Sequence, residues 1–143
     1  LTATAPGRGK QISMTPTPST PKDRPRLLLV EDDPGVRRSL QLLLRGRGFE
    51  VRAYASGLAL LADPTALGAA CLVADYRMSE IDGLSILKRL RDLGWRRQAL
   101  LITAFPSARL IDQALAAGYC RVIEKPLVES ALVDAVERAV AAP

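Results

Sequence analysis

Leu27-Leu28-Leu29-Val30-Glu31-Asp32-Asp33-Pro34 decides the fold of this chain. Four apolar residues run straight into three carboxylates, and a proline then supplies the preset φ of a helix's first turn. The same order recurs further along. Ala70-Cys71-Leu72-Val73-Ala74 ends at Asp75, Leu100-Leu101-Ile102 at Thr103, and Val122-Ile123-Glu124 at Lys125, followed by Pro126. Unbroken apolar runs of this length, alternating with helix-period stretches, read as strands of a parallel sheet covered on both faces. Crevices in such sheets open at the carboxyl ends of the strands. Acids, a hydroxyl and an ammonium fall there together.

Working outward, the chain from Leu27 predicts five βα units. Strand one is Leu27–Val30, and helix one starts at Pro34, places Val36, Leu40, Leu43 and Leu44 on one face, and ends at Gly46 and Gly48. Strand two is Glu50–Tyr54, after which Ser56 caps a short helix reaching Leu61. Strand three is Ala69–Ala74. Past the loop Asp75–Asp82, Gly83 opens helix three, with Leu84, Ile86, Leu87 and Leu90 apolar. Strand four is Ala99–Ile102, and helix four runs from Ser107 to Ala117, with Gly118 as its C′ residue. Strand five is Arg121–Glu124, and the fifth helix carries Val128, Leu132, Val133, Val136 and Val140 at helical spacing. Strict alternation with short connections predicts an α/β, flavodoxin-like (βα)5 doubly wound parallel sheet of strand order 2-1-3-4-5. Strands one and three are then neighbours, and Glu31 and Asp32 face Asp75.

Bulk properties remove several classes. The 143 residues suit one domain, and 48% apolar content argues against general disorder. No apolar run approaches the roughly 18 residues of a membrane span, and the first residues lack a signal-type stretch. A cytoplasmic protein is expected, without membrane contact. There is no histidine, and Cys71 and Cys120 lack metal-ligand spacing, so both are expected to be free, buried thiols. The net charge of +5 resides mostly in residues 1–26, which carry five basic residues against Asp23, a net of +4. The other 117 residues hold 15 basic and 14 acidic side chains, a net of +1, and no direct nucleic-acid binding by the body is expected. Residues 1–26, rich in Pro, Thr and Ser, read as a disordered basic tail in which Met14 is a candidate native start. The domain proper is expected to occupy 27–143.

Carboxylates crowded at one sheet edge repel one another unless a cation sits among them. Oxygen ligands without Cys or His favour Mg²⁺. A carboxylate can attack phosphorus to form an acyl phosphate, while a metal, a lysine and a hydroxyl neutralise and hold the transferred group. Taken singly, each residue has an ordinary reading: Asp75 as a turn residue, Asp33 as an acidic helix start, Thr103 as a cap, Lys125 as a surface lysine. The conjunction at four strand ends favours a site.

Residues 27–38 (Leu27 to Arg38), Leu72-Val-Ala-Asp-Tyr-Arg-Met78 with Ile81-Asp-Gly-Leu84, Leu101-Ile-Thr-Ala104 and Ile123-Glu-Lys-Pro-Leu127 together resemble a response-regulator receiver domain of two-component signalling, in the style of nitrogen-fixation regulators. The resemblance implies that Asp75 accepts a phosphoryl group from a sensor histidine kinase or phosphotransfer protein. It implies Asp32 as direct Mg²⁺ ligand, Glu31 as a ligand through water, and the Arg77 backbone carbonyl as a further ligand. Thr103 becomes the hydroxyl that turns to the phosphoryl group, Lys125 its ammonium partner, and Ala104 the small residue that keeps the site open. A regulated surface of helix four, strand five and helix five is implied, with a phosphorylation-dependent homodimer as one use of it. Two positions depart from the family pattern. Ser79 replaces the usual proline after Met78, and Val122 replaces the Tyr or Phe whose movement normally accompanies that of the threonine. A haloacid-dehalogenase-type phosphatase is the competing enzyme reading, but it would need a general-acid aspartate where Arg77 stands. A pseudo-receiver used only for protein contact is the third. Whether an output domain, such as a helix-turn-helix, follows the receiver stays open.

Overall fold

The structure, a computed structural model, describes residues 24–142. The expected basic tail thus lies outside the described residues except at its end, where Arg26 proves to be the first residue of a strand.

Five strands, β1 (Arg26–Val30), β2 (Glu50–Tyr54), β3 (Cys71–Asp75), β4 (Gln98–Thr103) and β5 (Arg121–Glu124), form one sheet of order β2-β1-β3-β4-β5. All four pairings are parallel. Helices α1 (Pro34–Gly46), α2 (Gly57–Leu61), α3 (Gly83–Asp92), α4 (Ala108–Ala117) and α5 (Glu129–Ala141) connect and follow them. This is the flavodoxin-like doubly wound sheet that the alternation predicts.

The apolar runs are continuous because successive side chains enter opposite cores. Leu28, Val30, Leu72, Ala74, Ala99 and Leu101 pack with Ile86, Leu87 and Leu90 of α3 and Leu110 and Ala114 of α4. Leu27, Leu29, Cys71, Val73, Leu100 and Ile102 pack with Leu40 and Leu44 of α1 and Leu132, Val133 and Val136 of α5. Helix starts follow the short polar side chains. Asp33, Ser56, Asp82 and Ser107 each accept from backbone N–H groups of the first turn. Gly118, at φ 112°, ends α4 in the left-handed conformation that a side chain would strain.

Four expectations need correction. Strand three begins at Cys71 rather than Ala69, because a 3₁₀ turn at Pro64–Gly68, capped by Asp63, occupies the preceding chain. Strand four extends one residue further at each end, taking in Gln98 and Thr103. Val128 does not join the apolar face of the fifth helix; it sits at the N-cap position and is 64% exposed. Cys71 is buried, its thiol pushed up to about 12 chiefly by desolvation, but Cys120 is exposed, since it precedes β5 rather than lying within it.

Candidate functional site

The carboxyl edge of the sheet collects the buried polar side chains. Glu31 follows β1, Asp75 closes β3 and Thr103 closes β4; they are 2%, 7% and 2% exposed. Lys125 follows β5, and its backbone N–H donates to Thr103 O at 2.8 Å. Its ammonium donates to Glu31 Oε1 at 3.0 Å and to Asp75 Oδ2 at 2.9 Å. One lysine therefore joins strands one, three and five across the topological switch point.

The rest of the acidic string divides by job. Glu31 Oε2 accepts from the Asp33 backbone N–H at 3.1 Å. Its backbone oxygen accepts from Arg37 Nη1 at 2.9 Å. Asp33 Oδ1 accepts from Gly35 N at 2.9 Å and Val36 N at 3.1 Å, so it serves as the N-cap of α1. Asp32 is exposed. Glu31, Asp32 and Asp75 each place a carboxylate oxygen within 4.8 Å of the others.

Burial and charge act in opposite senses here. Desolvation outweighs the Lys125 hydrogen bond and raises the Glu31 carboxyl above its ordinary value. Desolvation presses on the Lys125 ammonium too, but the hydrogen bonds to Asp75 and Glu31 prevail and its pKa is raised. Three carboxylates gather at one ammonium, a deficit of positive charge within the group. A hard divalent cation fits that deficit and that all-oxygen donor set.

Two further side chains flank the group. Thr103 Oγ1 accepts from Phe105 N at 3.2 Å, which turns the hydroxyl toward its own loop; no hydrogen bond joins it to Asp75 or Lys125 among the described residues. Arg77 lies in the loop after β3, with its guanidinium 6.0 Å from the centre of the Phe105 ring. Asp32, Tyr76, Arg77, Met78, Ser79 and Asp82 line an open cavity of about 560 Å³ beside the acids. The residue that replaces the usual proline thus lines the mouth of the site. Val122 pairs in register with Leu101, and it is partly buried against the core that holds Leu110 and Ala114.

Phe105 was invisible to sequence reasoning as a neighbour of the site. A lone aromatic in a loop carries no periodic signal, and its partner Arg77 comes from another βα connection.

A doubly wound parallel sheet with paired acids, a terminal aspartate, a threonine and a lysine at its carboxyl edge defines a small class of phospho-accepting signalling domains. The sequence profile of the response regulator receiver domain matches residues 27–137. The chain belongs to that family, whose members are regulatory phospho-acceptor modules of two-component systems rather than ordinary enzymes. It is 33% identical over 111 residues to the transcriptional regulatory protein FixJ of Rhizobium meliloti (strain 1021), a match covering 78% of this chain and 54% of the relative. The chain thus spans about half the length of that relative. The crystal structure of FixJ-N superposes with a TM-score of 0.74 at 31% identity, covering 82% of this chain and 94% of that one. The Vibrio cholerae chemotaxis protein CheY4 shares the fold at TM-score 0.76 and 23% identity, covering 81% of this chain and 98% of its own.

Proposed function

We propose that this domain takes a phosphoryl group onto Asp75 from the phosphohistidine of a sensor histidine kinase or a phosphotransfer protein. The observation that carries the reading is the Lys125 ammonium bridging Glu31 and Asp75 at 3.0 and 2.9 Å, with a third carboxylate, Asp32, at hand. An Asp75 carboxylate oxygen attacks phosphorus, the P–N bond breaks, and its electron pair stays on the imidazole nitrogen. The product is an acyl phosphate on Asp75. Lys125 transfers its contact from the carboxylate to a phosphoryl oxygen. The Thr103 hydroxyl leaves Phe105 N and turns to another. Glu31, Asp32, Asp75 and the Arg77 carbonyl would hold Mg²⁺, which supplies charge neutralisation for the transferred group. Chemistry of the chain's own is limited to self-phosphorylation from phosphodonors and hydrolysis of its own acyl phosphate. Arg77, standing where a dehalogenase-type phosphatase needs its acid, disfavours turnover of external esters.

The output is a switch of the α4, β5 and α5 surface toward a partner, a second copy of this chain, or a DNA-binding domain elsewhere in the full protein. The similarity to FixJ, a transcriptional regulatory protein, supports the last of these. Contact with nucleic acid is then left to that domain. Cytoplasmic residence fits partners of this kind. Among the described residues no helix is long and apolar enough to cross a membrane.

Incubation with acetyl phosphate and Mg²⁺ should add one phosphoryl group, and Asp75→Asn should keep the fold and lose the addition. Intact-mass measurement reads both. Full labelling of the variant would sink the assignment, and an unlabelled wild type would favour a pseudo-receiver.

A further inference from the structure

Tyr119 is a large, polar-tipped side chain that the phosphoryl chemistry does not use, yet it is only 2% exposed. Burying a phenol requires a partner for its hydroxyl. Here the partner is the backbone oxygen of Gly83, 2.6 Å away and 36 residues earlier. Burial raises the phenol's pKa, so the group stays a neutral donor.

Gly83 is no ordinary helix residue. A Cβ built on it would lie 2.6 Å from Leu101 Cδ1, 2.9 Å from Asp75 O and 3.3 Å from Tyr76 Cα. The start of α3 therefore rests directly on the peptide that follows the phospho-acceptor. Gly83 N also donates to Tyr76 O at 3.1 Å, closing residues 76–83 into a loop stitched at its base. Arg77 stands next to the stitch inside that loop. Asp82 Oδ1 accepts from Ser85 N at 2.9 Å and fixes the loop's other end to α3.

Tyr119 itself is held as firmly. Its backbone N–H donates to Ala114 O at 3.0 Å, immediately after the left-handed turn at Gly118. Its ring packs in the core that also contains Leu87, Leu101, Leu110 and Ala114. One hydroxyl thus ties the end of α4 to the base of the loop beside Asp75.

We infer that Tyr119 is a positioning residue of the phospho-acceptor site. Its hydroxyl holds Gly83, and with it the loop that presents the Arg77 carbonyl, in the geometry that receives the cation. The same bond makes α4 and this loop one mechanical unit, a link that Val122 cannot supply from β5. The inference rests on the proposed Mg²⁺-dependent phosphorylation of Asp75.

Tyr119→Phe keeps the ring and removes the bond. In the full chain it should weaken Mg²⁺ binding measured by calorimetry roughly threefold to tenfold, the range for one lost hydrogen bond. The Mg²⁺ concentration that half-saturates labelling by acetyl phosphate should rise by the same factor, while the rate at saturating Mg²⁺ stays nearly unchanged. A merely structural tyrosine would lower the melting temperature and leave Mg²⁺ affinity at the wild-type value, which would overturn the inference. In the wild type, Mg²⁺ should also shift the Gly83 amide and the Tyr119 ring resonances; silence there overturns it without recourse to any variant. Failure of the wild type to bind Mg²⁺ or to be labelled would bring down the phospho-acceptor reading first, and this inference with it.

Discussion

Asp32 and Asp33 are adjacent, chemically identical and differently employed. Asp33 spends one carboxylate oxygen on two backbone N–H groups at the start of α1, where the first turn has no carbonyls to offer them. Asp32 is exposed and near Glu31 and Asp75, so its charge adds to an unbalanced cluster. Asp33→Ala should therefore cost about 1 kcal/mol of stability in urea denaturation, as cap removal does, with Mg²⁺ affinity close to wild type. Asp32→Ala should do the reverse, losing Mg²⁺ affinity in calorimetry while relieving repulsion in the metal-free protein. Equal losses of affinity would show that the acidic register is wrong. The sequence favours an acidic helix start for Asp33 over a third site acid. Proline at the next position favoured the helix start, and the two N–H contacts decide for it.

At the scale of elements, the edge strand β2 is fastened by groups with no part in phosphoryl transfer. Glu50 Oε2 receives Arg26 Nε at 3.1 Å and Arg52 Nε at 2.8 Å. Tyr54 Oη donates to Asp63 Oδ2 at 2.6 Å, and the Thr65 hydroxyl donates to Asp63 Oδ1 at 2.7 Å. These bonds join the strand to the 3₁₀ turn beside it. No sequence period marks that turn, because five residues hold too little pattern; Asp63-Pro64 was its only local sign. The Thr65 and Tyr54 hydrogen bonds hold the Asp63 carboxyl down at about 2, against an ordinary 3.8. A depressed carboxyl stabilises the fold above its unfolded pKa, and that contribution is lost as pH falls through the folded value. Wild-type stability should accordingly drop between pH 3.8 and about 2. In acid titrations followed by circular dichroism, Asp63→Asn should flatten that part of the curve. An unchanged slope in the variant would assign the acid sensitivity to other carboxylates.

At the scale of the whole molecule, the central strands were legible because burial on both faces forces apolar runs in β1, β3 and β4, each ending at or beside a candidate site residue. The candidate site was legible as a placement, because its acids, hydroxyl and lysine stand at or just after strand ends. What stayed hidden depends on contacts between distant segments. The Tyr119 hydroxyl reaches an oxygen 36 residues away, and Arg77 meets Phe105 across two loops. No local pattern announces either. Val122 was legible as a departure, and its surroundings bear on how the switch travels. It pairs in register with Leu101 and is partly buried against an apolar core, with no large ring of its own to move. If Thr103 reorients as proposed, with no ring at 122 to follow it, the change would act on the loop at residues 104–107 and repack α4 as a two-state element. Ile111 and Leu115, 38% and 51% exposed, lie on α4 and would change their presentation with it. Beryllofluoride with Mg²⁺, a mimic of the acyl phosphate, should shift amides throughout residues 104–125. Shifts confined to the surroundings of Glu31, Asp32 and Asp75 would rule this route out. Val122→Tyr should alter the mimic's effect on self-association, read by sedimentation, while the labelling rate at Asp75 stays near wild type. A matching fall in that rate would mean that position 122 acts on the chemistry itself and not on its transmission.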